Sequence, residues 1–183
     1  IFGNLPYNVS SQILIKLILN KENLQFKKMV FMFQKELADR ILSEQNSKNY
    51  GRISIIANWK YNIKKIIDIS PNSFYPKPKI KSSLLLFTPK QKYFKLKKSE
   101  SLEYVTRIFF NQRRKKIKKP FNILFKNKEY LIKKLKLDLN LRPQNISIET
   151  FFNITKEYEE SINWSISLHD FRQILYRNQY FFF

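Results

Sequence analysis

Residues 28–42 read KMVFMFQKELADRIL, and the pattern changes period halfway along. From Lys28 to Phe33 the run is short and almost unbroken in apolar residues, the kind that fills a strand buried on both faces of a sheet. Beyond Gln34 the apolar residues Leu37, Ala38, Ile41 and Leu42 recur at helical spacing, so one flank is apolar and the other charged. A buried strand that hands over directly to an amphipathic helix is the repeating unit of an α/β sheet.

The same handover recurs on either side. Upstream, Ile1 and Phe2 read as the end of a strand, and Ser10 or Ser11 can cap a helix that carries Ile13, Leu14, Leu17 and Ile18 on one face. The chain opens on Ile1 rather than methionine and reads as part of a longer protein. Downstream, the polar loop SEQNSKNYG (43–51) leads to a helical stretch through Ile53, Ile56 and Ala57. Strands are expected at KKIIDI (64–69) and SLLLF (83–87), separated by the proline-rich SPNSFYPKPKIKS (70–82). After Thr88-Pro89 the character changes. KQKYFKLKK (90–98) reads as a basic linker, and helices are expected over residues 101–112, 121–137 and 147–156. A capping box at Ser167-Leu168-His169-Asp170 opens a last helix with Phe171, Ile174 and Leu175. The expected layout is a partial α/β sheet domain over 1–89, a linker over 90–100, a small all-α domain over 101–156, and a tail over 157–183 with no assigned role.

Composition bounds what such a chain does. With 43% hydrophobic and 16% aromatic residues it folds around a core. It has no cysteine and one histidine, His169, which excludes disulfides and thiolate chemistry and argues against a histidine-based metal site or triad. No apolar run is long enough to span a bilayer and no signal-peptide pattern opens the chain, so a cytoplasmic protein without membrane association is expected. The formal charge is +21, from 35 Lys and Arg against 14 Asp and Glu, which favours a polyanionic partner, nucleic acid first. An AT-rich coding bias accounts for part of the lysine excess, but not for clusters that contain arginine.

The chain holds two glycines, and one of them, Gly3, precedes Asn4-Leu5-Pro6-Tyr7. A turn of this kind at the carboxyl end of a strand lies where open α/β sheets place their ligands. Its parts suit methylation of an exocyclic amino group on a planar base, whose lone pair is delocalised into the ring. Acceptors aimed at the N–H groups, the Asn4 side-chain oxygen and a backbone carbonyl near Leu5, favour a pyramidal nitrogen with its lone pair free. Pro6 lacks an N–H and leaves nearby carbonyls to face outward. Tyr7 offers a ring for an extruded base, a stack worth on the order of 1–3 kcal/mol. A methyl donor must then sit in line, roughly 3–3.5 Å from the nitrogen. Gly3 is read as the position that lets the ligand approach the backbone with no Cβ in the way. The four residues by themselves are equally read as a proline turn whose tyrosine covers a sheet edge.

Five blocks in consecutive order narrow this: IFGNLPYNVSSQILIKLI, MVFMFQKELADRI, YGRISIIANW, SPNSFYPKPKIKSSLL and FFNQRRKKIKK. Together they resemble the KsgA family of small-subunit ribosomal RNA adenine dimethyltransferases over roughly residues 1–155. The Erm enzymes, which methylate large-subunit rRNA, share the Asn-Leu-Pro-Tyr block and come second. The resemblance implies the C-terminal half of a Rossmann-like class I methyltransferase sheet, S-adenosylmethionine as donor and no metal. It also implies dimethylation of the N6 amino groups of two adjacent adenines in a hairpin loop near the 3′ end of 16S rRNA, as part of small-subunit biogenesis. By position, Asn4 meets the amino group and the donor's methionine end, Leu5 and Pro6 supply the turn, Tyr7 stacks on the adenine, and Phe74 closes the other side of the base pocket. The family's glycine-rich donor loop lies upstream of the fourth motif, with which this chain opens, so the chain alone is expected to be inactive and to bind the donor weakly or not at all. A monomer acting on the small-subunit precursor is implied. The alternative in another class is a non-catalytic nucleic-acid-binding or ribosome-assembly factor on the same fold.

A basic cluster supplies the expected RNA grip. Arg107, Arg113, Arg114, Lys115, Lys116, Lys118 and Lys119 lie on or just after one expected helix, and Lys77 and Lys79 alternate through the loop after Phe74. Contacts from such residues to phosphates position RNA without reading its sequence.

Overall fold

In the computed structural model, which describes residues 1–20, 26–126 and 129–162, the apolar run at the centre becomes strand β2 (Met29–Gln34), buried over its first five residues. Its neighbours explain why. The short strand β1 (Phe2–Asn4) pairs with it in parallel, Gly3 opposite Phe31 and Asn4 opposite Met32. On the other side β4 (Ser82–Pro89) runs antiparallel to it, and β3 (Tyr61–Ile69) pairs antiparallel with β4 at the far edge. The sheet order is therefore β1-β2-β4-β3. Strand β3 begins three residues before KKIIDI, and a register shift between Lys65 and Ile67 leaves Ile66 and Ile67 more than half exposed on the edge.

Three helices belong to the strands. The parallel β1–β2 pair requires a crossover, which contains α1 (Ser10–Leu19), buried through Leu14 and Ile18. Its cap is Val9 and no side chain caps it; the hydroxyl of Ser10, expected as a cap, instead donates back to the Tyr7 carbonyl at 3.1 Å. Helix α2 (Lys35–Ile41) follows β2 without a break, and α3 (Arg52–Lys60) precedes β3. Helix α3 is apolar almost all round, burying Ile53, Ile55, Ile56, Ala57 and Trp59, because it touches α1 and α2 as well as the helices that follow the sheet.

Those later helices are α4 (Ser99–Phe110), α5 (Lys118–Phe125), α6 (Glu129–Lys134) and α7 (Ile148–Ser161). The single helix expected over 121–137 is two: Lys126 takes a left-handed conformation (φ 42°) and closes α5 by donating its N–H to Asn122. Helix α7 is capped by Ser147, whose hydroxyl accepts from the Thr150 N–H at 3.0 Å, and it runs past Lys156 to Ser161. Glu157, Tyr158 and Glu159 of that extension are buried. The Glu159 carboxylate accepts the N–H groups of Lys97 and Lys98, both at 2.8 Å, and so ties α7 to the start of α4. Buried residues from the sheet and from α3, α4, α5 and α7 form one cluster, and the buried Tyr50 hydroxyl bridges to the Ile146 carbonyl at 3.0 Å. Desolvation pushes the Tyr50 phenol well above its ordinary range, so it stays a neutral donor. The expected capping box at Ser167–Asp170, His169 and the final helix lie outside the described residues.

Candidate functional site

The first strand ends at Asn4, and the chain then turns through Leu5, Pro6 and Tyr7 before entering α1. Two carbonyls of the turn are consumed locally. The Pro6 carbonyl accepts from the Val9 N–H at 3.2 Å, and the Tyr7 carbonyl takes the Ser10 hydroxyl. Two acceptors are left over. Among the described residues neither the exposed Asn4 side chain nor the Leu5 carbonyl has a hydrogen-bond partner. These are the acceptors that the sequence assigns to an amino group.

They line an open cleft of about 420 Å³. Asn4, Leu5, Pro6 and Tyr7 form one part of its lining, and Phe74, Tyr75, Pro76 and Pro78 another, with Met32 of β2 between β1 and the rest of the sheet. Seventy residues of chain separate Asn4 from Phe74, and the sheet brings them together. Phe74 follows a 3-10 turn, Pro71–Ser73, which Ser70 caps by accepting the Asn72 N–H at 3.3 Å, and its own N–H returns to the Pro71 carbonyl. The ring of Phe74 is half-buried, so the loop holds it against the protein rather than in water.

Ser82 belongs to this site and was not anticipated. It is fully buried at the start of β4, and its hydroxyl lies 2.7 Å from the Tyr7 hydroxyl. The bond fixes the Tyr7 ring by its far end. The serine pair that opens the Leu84–Phe87 apolar run was the available signal, since a buried hydroxyl needs a partner.

Gly3 also has a packing role. A Cβ at that position would meet the Phe31 ring at 3.1 and 3.2 Å and the Leu5 side chain at 3.5 Å. Packing of β1 over an aromatic ring is thus a reason for glycine at this position that stands beside the expected approach of a ligand.

The basic residues divide into two groups. Arg107 stands 5.4 Å from the centre of the Tyr104 ring, inside the contact of α3 with α4, and adds to the burial that chiefly disfavours the charge of the nearby Arg52 guanidinium. Arg113 is half-buried and donates to the Lys48 carbonyl. The rest face water. Arg114, Lys115, Lys116, Lys118 and Lys119 are exposed, and the four lysines border an open groove of about 730 Å³ together with the apolar Ile123. Lys77 and Lys79 are exposed on the loop that carries Phe74.

The chemistry of these side chains fits the acceptor half of a methyl transfer. An amide at the strand end with no partner among the described residues, in a cleft that also holds the rings of Tyr7, Phe74 and Tyr75, fits the methionine end of S-adenosylmethionine on one side and a planar amine on the other. Among the described residues no group of three or more His, Cys, Asp or Glu is placed to hold a metal ion, and no helix is long and apolar enough to cross a membrane.

A mixed α/β sheet with a cleft at the end of its first strand and helices packed after its last has the class of a Rossmann-like methyltransferase. Solved structures agree: the chain superposes on a dimethyladenosine transferase from Plasmodium falciparum with a TM-score of 0.70 at 25% identity, over 87% of this chain and 66% of that one. The fold is shared by the 23S rRNA methyltransferase ErmE, with a TM-score of 0.58 at 14% identity, over 86% of this chain and 64% of that one. The family model of ribosomal RNA adenine dimethylase matches residues 1–160, and the chain belongs to that family. It is 59% identical over 161 residues to the ribosomal RNA small subunit methyltransferase A of Pelagibacter ubique, covering 87% of this chain and 62% of that protein. It is 43% identical over 156 residues to the protein of the same name in Borreliella burgdorferi, covering 85% and 54%. The chain thus spans between about half and three-fifths of the length of these relatives.

Proposed function

We propose that this chain is the acceptor-side and RNA-gripping portion of an enzyme that dimethylates the N6 amino groups of two adjacent adenines in a hairpin loop near the 3′ end of 16S rRNA. The observation that carries the reading is the pair of unpartnered acceptors, Asn4 and the Leu5 carbonyl, in a cleft that also holds Tyr7 and Phe74. The small-subunit names of the relatives favour 16S over 23S rRNA. A monomer working in the cytoplasm on the small-subunit precursor accords with the open basic groove.

S-adenosylmethionine, when bound, supplies a methyl group on a positively charged sulfur. The remaining work is done by this chain. Tyr7 and Phe74 take the extruded adenine between or against their faces, and the bond from Ser82 keeps the Tyr7 ring from swinging with it. The Asn4 oxygen and the Leu5 carbonyl accept the two amino hydrogens, which turns the nitrogen lone pair out of conjugation and toward the donor. After transfer the nitrogen carries positive charge, and the acceptor already bonded to its hydrogen holds that proton until water in the open cleft removes it. No strong base is required. For the second transfer one N–H remains, and the apolar rings tolerate the rotated, bulkier amine.

The groove lined by Lys115, Lys116, Lys118 and Lys119 holds phosphates. Replacing all of them with Gln is expected to weaken RNA binding at low salt. It should also flatten the slope of log K against log[salt] by about 0.7 for each lysine that contacts a single-strand phosphate. Fluorescence titrations across a salt series measure this, and an unchanged slope removes the groove from the RNA interface. The function itself is tested by incubating the protein, at the full length of its relatives, with unmethylated small subunits and donor, and analysing the rRNA nucleosides for N6,N6-dimethyladenosine.

A further inference from the structure

We propose that Tyr75 is a second stacking platform, which holds the nucleobase adjacent to the one drawn into the cleft on a single-stranded RNA loop. The proposal rests on reading that cleft as a base pocket and extends it to a neighbouring subsite. Consecutive residues behave oppositely: Phe74 is half-buried, whereas Tyr75 lines the same cleft and is fully exposed. Among the described residues the Tyr75 ring and hydroxyl make no ring contact, hydrogen bond or ion pair. It contributes nothing to the core.

A large aromatic held in water is informative where the chain keeps it there. Pro76 and Pro78 stiffen the segment beyond it, and the capped 3-10 turn anchors the segment before it. The exposed Lys77 and Lys79 follow at alternate positions. An aromatic ring interleaved with cations on a stiff loop is the arrangement that binds single-stranded nucleic acid, by stacking on the base and contacting the backbone. The chemistry in the cleft creates the need. Extruding one base strips its neighbour of a stacking partner, and that loss opposes extrusion. A ring positioned beside the pocket replaces the lost partner and sets which base lies next to the one being methylated.

The test uses the full 183-residue chain and an RNA hairpin whose loop carries two adjacent adenines, with 2-aminopurine substituted at one or the other. Stacking quenches this probe. With the wild-type chain, quenching is expected at both positions. Tyr75→Ala is expected to relieve it at the neighbouring position and to lower affinity about fivefold to tenfold, in the range of one lost base–aromatic stack. Tyr75→Phe and Tyr75→Trp should keep both signals, and Tyr75→Leu, apolar but not planar, should behave like the alanine variant. Because Tyr75 is fully exposed among the described residues, circular dichroism of all four variants is expected to match wild type.

Unchanged quenching and affinity in Tyr75→Ala overturn the inference, as does full retention by Tyr75→Leu, which would mark a general apolar contact. Tyr7→Ala separates this failure from that of the pocket reading. If it relieves quenching at the extruded position while Tyr75→Ala does nothing, the pocket stands and the second platform falls. If the wild-type chain quenches the probe at neither position, both fall.

Discussion

Asn4→Ala, in the protein at the full length of its relatives, is expected to lower methyl transfer by on the order of 10²–10³, the range found when one preorganised polar group aimed at a reacting centre is removed. RNA affinity should stay within about twofold, because the contacts assigned to binding are stacking and phosphate contacts made elsewhere. The asymmetry follows from the site. Asn4 is exposed, its side chain is bonded to no described residue, and its Cα is fixed by pairing opposite Met32. Truncating it removes an acceptor and disturbs no packing. Single-turnover transfer with labelled donor, set beside an RNA titration of the same variant, reads both quantities. Transfer that survives would show that the Asn4 oxygen does not hold the amino group. Transfer and RNA affinity lost in parallel would make Asn4 a binding residue only.

Phe87→Ala is expected to destabilise the fold by about 3–5 kcal/mol, the usual cost of emptying a buried phenylalanine site. Phe87 is fully buried in the middle of β4, and its ring lies 6.0 Å from Phe31, 6.2 Å from Phe33 and 6.3 Å from Tyr61. It therefore touches the strands on both sides of its own. Total stabilities of about 5–15 kcal/mol leave little margin for such a loss, so the variant should show a much lower urea midpoint or fail to fold. The effect should reach the site, since the Phe31 ring beneath Gly3 belongs to the same aromatic group. Ile123→Ala is the control: the residue is 54% exposed, and loss of its side chain should shift the midpoint little. A Phe87→Ala midpoint near that of the control would mean that the aromatic group is not the centre of the core.

What could be read from the chain follows from how local each signal is. Strand β2 and helices α2 and α3 were legible because buried strands and packed helices repeat their apolar residues within a few positions. The Asn4–Tyr7 turn was legible because its chemistry lies in consecutive residues. The break at Lys126 was not, since a left-handed residue that is neither glycine nor asparagine carries no composition signal. The packing role of Gly3 was not legible, because the ring it accommodates, that of Phe31, sits on the next strand across and is visible only once register is known. The same holds for Ser82, which reaches Tyr7 across 75 residues of sequence. Arg107 and Arg113 read as cations of the grip beside Arg114 and the lysines. Only packing shows that Arg107 turns to Tyr104 and Arg113 to the Lys48 carbonyl.

The central claim is that this cleft presents adenine for two successive methyl transfers. It is tested most directly by mass spectrometry of the nucleosides from small-subunit RNA, after reaction with the full-length protein and with its Asn4→Ala and Tyr7→Ala variants. The account predicts N6,N6-dimethyladenosine at two adjacent positions with the wild-type protein and its loss in both variants. Unmodified adenines with the wild-type protein, on RNA that it demonstrably binds, would contradict it.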